Sequence, residues 1–531
     1  MGRLPMIRDE PSSRGLPRRW PGAARLPVPL AAGAGLAAIA VWVGTAASRI
    51  GYPYALEWLE GNSLVEVERL LAGQPLYTVP TVDYVPDSYP PLYFAASAAL
   101  AGVLGVSYLP LRLVSLAACL GCLAVLARLV QRETGDLAAG VAAAGLYAAT
   151  YFAAASWFDF ARVDSLFLLL SLAGLYAARW MRGPGGAVAA GLLLAAAFLT
   201  KQSALAEAVA IIVALLCGAR RRLAAVLAAT FAGVVGLTTL LWDVTSHGWY
   251  VFYVFELLAQ HPVEQAAVAG FWTWYLLPAL GVALGAALLA AGRVPLVLGL
   301  GCLALAVEGY AGLLHTGGAV NNMLPVYAAV AVLAGIGMGG PAPSPRRHST
   351  PSSPGARPGP SLRRALAGTL VLAQLAVLAV TTFAAGRMIP DAADRRAGDR
   401  LRTWLAGFGG PVALVSDPGL VVLAGLPPVA HRAAAGDVLR GTDRAVRAGL
   451  EGSIARAVAG RRFAAIVVAQ QADLQGFPPD LARYYRRCPQ RLLADVPDEV
   501  FQPIGGGTSR PSAVWLPVGR GSCSESVGRL G

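Results

Sequence analysis

Residues 165–217 read SLFLLLSLAGLYAARW, MRGPGG, AVAAGLLLAAAFLTKQS and ALAEAVAIIVALLC in succession. Three apolar runs follow one another. A basic, glycine-rich turn with Arg179 and Arg182 separates the first two, and only Thr200-Lys201-Gln202-Ser203 separates the last two. A soluble domain has little use for so much unbroken apolar chain, whereas a bilayer core takes about 20 apolar residues per helix. Working outward, further runs of this kind extend from Ala31 to Ala385. The expected spans are Ala31–Ser48, Leu111–Leu126, Leu137–Ala155, Ser165–Trp180, Ala187–Leu199, Ala204–Cys217, Leu223–Leu241, Trp274–Ala291, Val294–Leu314, Met323–Met338 and Ala365–Ala385. The fold class is therefore an all-α polytopic membrane protein of about 11 spanning helices, with the short pair flanking Lys201 either tilted or broken.

Composition agrees. Apolar residues make up 56% of the chain and charged ones 14%, with a mean hydropathy of +0.57, against about 25% charged in soluble domains. The formal charge of +13 does not indicate a nucleic-acid partner, because the arginines fall between apolar runs rather than on one face. The first 30 residues are polar, basic and proline-rich, and no cleavable signal peptide is expected. Cys119, Cys122, Cys217 and Cys302 lie in apolar runs, where a thiol acts as a small hydrophobe. Cys488 and Cys523 fall in a polar region, and a disulfide between them is expected in an oxidising compartment.

The stretch Leu92–Val106 is short for a span and long for a loop. Charge decides its reading. If it does not cross, Arg128/Arg132, Arg179/Arg182, Arg220–Arg222, Arg293 and the group Arg346, Arg347, Arg357, Arg363 and Arg364 all lie on the cytoplasmic side with the N-terminal tail. It is therefore read as an interfacial or re-entrant part of one long outer loop, about residues 49–110. The organisation that follows is a basic cytoplasmic tail (1–30), a transmembrane core (31–340), a disordered cytoplasmic Pro/Ser/Gly/Arg linker (341–364), a last span (365–386) and an extracytoplasmic domain (387–531). In that last region, Val412–Val415, Leu420–Ala424 and Ala464–Ala469 are short apolar runs bounded by turn residues, with helical segments such as Asp443–Ala459 between them. This predicts a small α/β domain, with no glycine-rich nucleotide fingerprint and hence no nucleotide cofactor. The expected location is the plasma (inner) membrane, multi-pass, with the N-terminus cytoplasmic.

The topology gathers polar residues on the outer face. Glu57 and Glu60 are three apart, on one face if the segment is helical. Carboxylates there can act as a general base or hold a divalent cation, or simply be solvated. Asp159, Arg162 and Asp164 precede a span, where Asp164 suits a helix N-terminus or faces the first acids across a cavity. Lys201 is either a snorkelling lysine or a phosphate clamp, and Arg112 suits the second role. His315, Asn321 and Asn322 sit in a Gly-rich segment that either binds sugar hydroxyls or makes a turn. Trp249, Tyr250, Tyr253, Trp272 and Trp274 read as an interfacial aromatic belt.

In this order the residues resemble a known family. Glu57-Trp-Leu-Glu60, Arg69-Leu-Leu-Ala-Gly-Gln-Pro-Leu-Tyr77, Tyr89-Pro90-Pro91-Leu92-Tyr93, Arg162-Val-Asp164 before a span and Leu199-Thr200-Lys201 are similar to the motifs of the GT-C superfamily of polytopic glycosyltransferases. The similarity is to its family-39-like branch of protein O-mannosyltransferases and the aminoarabinose transferase of lipid A, over roughly residues 30–340. The resemblance implies a sugar transferred from a polyprenyl-phosphate-linked donor to a hydroxyl of a glycan, lipid or protein acceptor on the outer face. A first-loop carboxylate would be the base: Glu60, with Glu57 second and Asp164 opposite. Arg112 and Lys201 would hold the lipid phosphate, and Asp159, Arg162, Tyr89, His315, Asn321 and Asn322 would line the substrate site. Where the family commonly has Asp-Glu, this chain has Leu59-Glu60. No cofactor is assigned, a divalent cation is left open, and the metal ligands are unknown. A transporter or flippase of lipid-linked sugars and a catalytically degenerate scaffold are the other readings. The outer-face clustering of charge, rather than a midplane site on broken helices, disfavours the transporter.

Overall fold

The computed structural model describes residues 26–180, 182–340, 360–381 and 388–488, and beyond these 496, 504–505, 510–519 and 523. The basic tail to residue 25, and Arg346, Arg347 and Arg357 of the expected linker, lie outside the described residues.

Each of the eleven expected spans contains a helix, although that of Leu137–Ala155 ends at Ala149 and residues 382–385 of the last lie outside the described residues. The helices are α1 (Pro27–Arg49), α2 (Glu60–Leu71), α3 (Leu92–Leu104), α4 (Tyr108–Thr134), α5 (Leu137–Ala149), α6 (Asp164–Trp180), α7 (Gly183–Thr200), α8 (Ala204–Cys217), α9 (Arg221–Ser246), α10 (Trp249–Ala259), α11 (Gln265–Leu288), α12 (Leu296–Leu314), α13 (Met323–Met338) and α14 (Pro360–Thr381). Among the described residues, eight are long and apolar enough to cross a membrane. The other three expected spans, α5, α6 and α8, have 13, 17 and 14 residues. They lie within the same bundle, where packing against α1, α4, α7 and α12 shelters the chain that continues past their ends. The last span begins at Pro360, so Arg363 and Arg364 belong to its first turns rather than to the linker.

Close packing follows from small residues. A Cβ on Gly145 of α5 would overlap the backbone of Gly35 of α1, the approach that small residues permit between membrane helices. The central helix is α13, in which every residue except Leu333 is buried. Helix α11 is broken at Leu280, whose φ is −140°. Beyond the break, Gln374 of α14 accepts hydrogen bonds from the Val282 and Ala283 amides at 2.9 and 3.2 Å, which satisfies backbone groups that lipid could not.

Helix α3 covers most of the doubtful stretch Leu92–Val106. At 13 residues it is as short as α5, and its surroundings set it apart. It packs on α2 and α4 and leaves an exposed apolar tip at Val103, Leu104 and Val106, as an interfacial element would.

The C-terminal region forms the expected α/β domain, with α15 (Ala392–Ala406), α16 (Pro418–Leu423), α17 (Arg432–Arg440) and α18 (Arg444–Ala459) around strands β1 (Val412–Ala413), β2 (Ala465–Val468), β3 (Tyr485–Cys488) and β4 (Ala513–Pro517). The sheet order is β1-β2-β4-β3, with β1 and β2 parallel and the other pairs antiparallel. The run Leu420–Ala424 is helical rather than extended: Asp417 caps it by accepting from the Leu420 amide at 3.0 Å, and Pro418 opens it. Cys488 and Cys523 are disulfide-bonded, with Cα atoms 5.7 Å apart.

This domain sits on the first loop. Ala430 donates its amide to the Val82 carbonyl at 2.9 Å, Tyr54 donates to Asp399 at 2.5 Å, and Arg462 pairs with Asp83. It also meets the segment after α9, where Gln260 accepts from the amides of Thr442 and Asp443. Tyr250 and Tyr253 are buried in this junction with Tyr77, so the expected aromatic belt is reduced to the exposed Trp272 and Trp274.

Candidate active site at the junction of bundle and domain

A cavity of about 640 Å³ opens where the bundle, the first loop and the C-terminal domain meet. The first loop contributes Trp58 and Tyr89, the α5–α6 connection Trp157 and Arg162, and the break between α7 and α8 Lys201, Gln202 and Ser203. Helix α12 and the turn after it add Glu308, His315, Asn321 and Asn322, and the C-terminal domain adds Arg432, Asp437, Arg440 and Gln475.

Lys201 sits where the chain leaves α7 in extended backbone. Its Nζ donates to Asp164 Oδ1 at 3.0 Å and to Asn322 Oδ1 at 3.1 Å. Asn321 donates to the same Asp164 oxygen at 3.0 Å, while Oδ2 has no partner among the described residues. Four residues read separately from the sequence, Asp164, Lys201, Asn321 and Asn322, thus form one cluster, of which Lys201, Asn321 and Asn322 line the cavity. His315 also lines the cavity, with its Nε2 at 3.0 Å from the Leu258 carbonyl. Arg162 lies over the rings of Tyr89 and Trp157 and pairs with Asp87 at 3.2 Å.

Five expected site residues, Glu57, Glu60, Arg112, Asp159 and Asp164, do not line the cavity. Glu60 and Arg112 form a fully buried bidentate pair at 3.0 and 2.6 Å. Glu60 also accepts from the Leu56 and Ala161 amides, both at 2.7 Å. Burial opposes its charge, but Arg112 and these amides outweigh burial and hold its carboxyl below the usual range. Neither residue lines the cavity, because each satisfies the other. Asp159 is likewise consumed by Arg49 at 2.8 and 2.9 Å and by the Tyr151 hydroxyl at 2.9 Å.

Glu57 differs from its neighbour. It too is fully buried and is absent from the cavity lining, but it follows none of Glu60's pairing. One oxygen accepts from the Leu59 amide at 2.9 Å, and Oε1 has no partner among the described residues. Burial pushes its carboxyl well above the usual range, Glu60 adds to the rise, and Arg162 opposes it only in part. Residue 505 packs over it, with the Trp58 amide donating to the Gly505 carbonyl at 3.1 Å.

Sequence reasoning missed Asp87, although it lies two residues before the quoted Tyr89. Its carboxylate holds Arg162 and accepts from Asn62 at 2.8 Å. Glu308 was missed as well, although a carboxylate inside the apolar run Leu296–Leu314 is itself a signal. The domain's wall was invisible because its residues carry no motif. His431 bridges domain and loop: Nε2 meets the Trp58 carbonyl at 3.1 Å, and Nδ1 accepts from the Ala433 amide at 3.1 Å. Burial and then Arg432 lower its pKa to about 3. Among the described residues no group of three or more His, Cys, Asp or Glu side chains gathers as a metal site.

Apolar spans, a long first loop bearing the short apolar helix α3, and a charged cavity under an appended domain define a polytopic membrane fold. Neither a protein-family model nor a curated protein sequence matches the chain. Among solved structures, it is similar to ArnT from Cupriavidus metallidurans bound to undecaprenyl phosphate, with TM-score 0.50, 16% identity, 74% of this chain and 84% of that one covered. It is also similar to the Archaeoglobus fulgidus oligosaccharyltransferase AglB in complex with an inhibitory peptide and a dolichol-phosphate, with TM-score 0.51, 11% identity, 93% of this chain and 77% of that one covered. At these identities the likeness is one of fold, and at that level the GT-C resemblance of the sequence holds.

Proposed function

We propose that this protein is a membrane glycosyltransferase that moves a sugar from a polyprenyl-phosphate donor to an acceptor hydroxyl on the extracytoplasmic face. The observation that carries the reading is one cavity lined by Lys201 and Arg162, with the buried carboxylate Glu57 directly before its lining residues Trp58 and Leu59 in the chain. Displacement of a lipid phosphate needs cations at the leaving oxygen and a base at the incoming hydroxyl, held apart so that they do not neutralise each other. Lys201 uses two of its three donors on Asp164 and Asn322, which aims it and leaves one for a phosphate oxygen. Arg162, fixed by Asp87 and two aromatic rings, is the second cation.

Glu57 is the base in this reading, and Glu60 positions the loop through Arg112. The acceptor's proton passes to Glu57 through water, because Glu57 is buried and does not itself line the cavity. The acceptor oxygen bonds the anomeric carbon as the bond from that carbon to the phosphate oxygen breaks, and the polyprenyl phosphate departs with the electron pair. The likeness to the fold of an undecaprenyl-phosphate-bound protein supports a lipid-phosphate donor.

The test is sugar transfer by the purified full chain from a panel of polyprenyl-phosphate sugars, combined with glycolipid analysis of a deletion strain. A folded protein that transfers none of them, and a deletion that accumulates no precursor, would sink the proposal. Sidedness is tested by cysteine labelling: Asp480→Cys should react from outside only and Arg221→Cys from the cytoplasm only.

A further inference from the structure

Resting on the glycosyl-donor reading above, we infer that Glu308 and Gln202 form the part of the cavity that reads the ring of the transferred sugar. They do so by accepting hydrogen bonds from its hydroxyl or ammonium groups. Glu308 is the only acidic residue of α12, and a carboxylate at such a position is costly unless something uses it. It is 6% exposed and lines the cavity between Val307 and Ala311. One oxygen is held by the Ser203 hydroxyl, and Oε2 has no partner among the described residues.

Gln202 is arranged in a similar way. Its Nε2 donates to the Ser88 carbonyl at 2.9 Å and to the Val254 carbonyl at 3.1 Å. The amide is thereby fixed, and its Oε1 is left without a partner among the described residues. Both side chains line the same cavity as Lys201, and Gln202 and Ser203 follow that lysine directly in the chain.

An unmet acceptor in a buried site calls for a ligand with donors. A phosphate diester and a polyprenyl tail have none. The sugar attached to that phosphate has several, and with its phosphate on Lys201 it would lie beside Gln202 and Glu308. A neutral hexose and an aminated sugar share this chemistry and differ in charge.

The experiment uses the full chain in nanodiscs, with undecaprenyl phosphate, its hexosyl ester and an ester bearing a free-amine sugar as probes. Wild type should bind the sugar-bearing lipids more tightly than the bare one. Glu308→Gln and Glu308→Leu should keep the affinity for the bare lipid, which also reports an intact fold. They should lose about tenfold on the sugar-bearing probes, the size of one hydrogen bond to a charged group. A loss in Glu308→Gln on the aminated probe alone assigns an ammonium; a loss on both assigns hydroxyls. Unchanged preference for sugar over bare lipid in both variants overturns the inference, as does an equal loss on all three probes. If wild type binds none of them, the lipid-donor reading has failed first, and the inference falls with it.

Discussion

The two ends of the helical bundle both carry ion pairs, and they differ in what surrounds them. At one end, Arg179–Glu133 and Arg364–Asp136 leave their arginines 26% and 30% exposed, and Arg293 donates to the carbonyls of Gly339 and Gly340. At the other end, Arg49–Asp159, Arg112–Glu60, Arg162–Asp87 and Lys201–Asp164 are all at most 10% exposed. Exposed pairs contribute about 0–1 kcal/mol and mainly mark the side of the membrane. Buried pairs give up hydration for their attraction and are often no more stabilising than apolar residues of the same size. Their use here is geometric. Each ties a loop that has no regular hydrogen-bonding partner of its own: Arg112 donates to the carbonyls of Tyr52 and Tyr54 at 2.6 and 2.7 Å, and Arg49 donates to that of Ser156.

The contrast can be broken most sharply at Glu57, the buried acid without a cation of its own. Glu57→Gln should reduce transfer by about 10²–10⁴-fold with thermal stability retained. Because burial raises its carboxyl and a base works only when deprotonated, the acidic limb of the pH–rate profile should lie above the ordinary carboxylate range and move in Glu57→Asp. Next in size is Glu60→Ala, which strands Arg112 and should cost about 3–5 kcal/mol of apparent stability. The double variant Glu60→Ala/Arg112→Met should recover part of that loss in thermal unfolding; no recovery would mean the pair is not the cause.

A smaller effect concerns the domain that covers this end. His431 has its pKa lowered to about 3 from an ordinary 6.5, so between those values the unfolded chain takes up a proton that the folded one does not. Stability is present above pH 6.5 and is lost progressively as pH falls toward 3. Protease accessibility of the C-terminal domain should rise over that window, and His431→Gln should flatten the dependence. Last, Arg179→Ala at the exposed end should change unfolding by less than about 1 kcal/mol.

The spans were legible because an apolar run in lipid leaves one solution for the backbone. The reading of Leu92–Val106 rested on charge placement, because hydropathy alone does not separate it from the short helices α5 and α8. Lys201, Asp164, Asn321 and Asn322 were each visible as polar residues at the edge of a span, and the structure gathers them into one cluster. Which acid is paired was not legible: Glu57 and Glu60 look alike in sequence, and only the tertiary position of Arg112, 52 residues after Glu60, separates them. The same limit hid Asp159 behind Arg49, 110 residues away. The run Leu420–Ala424 misled because its apolar pattern suits a buried strand or a short helix, and Asp417 with Pro418 decides for the helix.

The cavity's far wall comes from Arg432, Asp437, Arg440 and Gln475, which leave the ribosome long after Lys201 and Arg162. A chain still in synthesis therefore holds an open, half-lined groove at the membrane surface. The chamber comes into being only when the final domain has folded and settled on the first loop, through contacts such as Ala430 to Val82. Chain order thus acts as a timer. The full lining exists only once residues 432–475 have folded onto the bundle, and a copy without them has only part of the cavity wall.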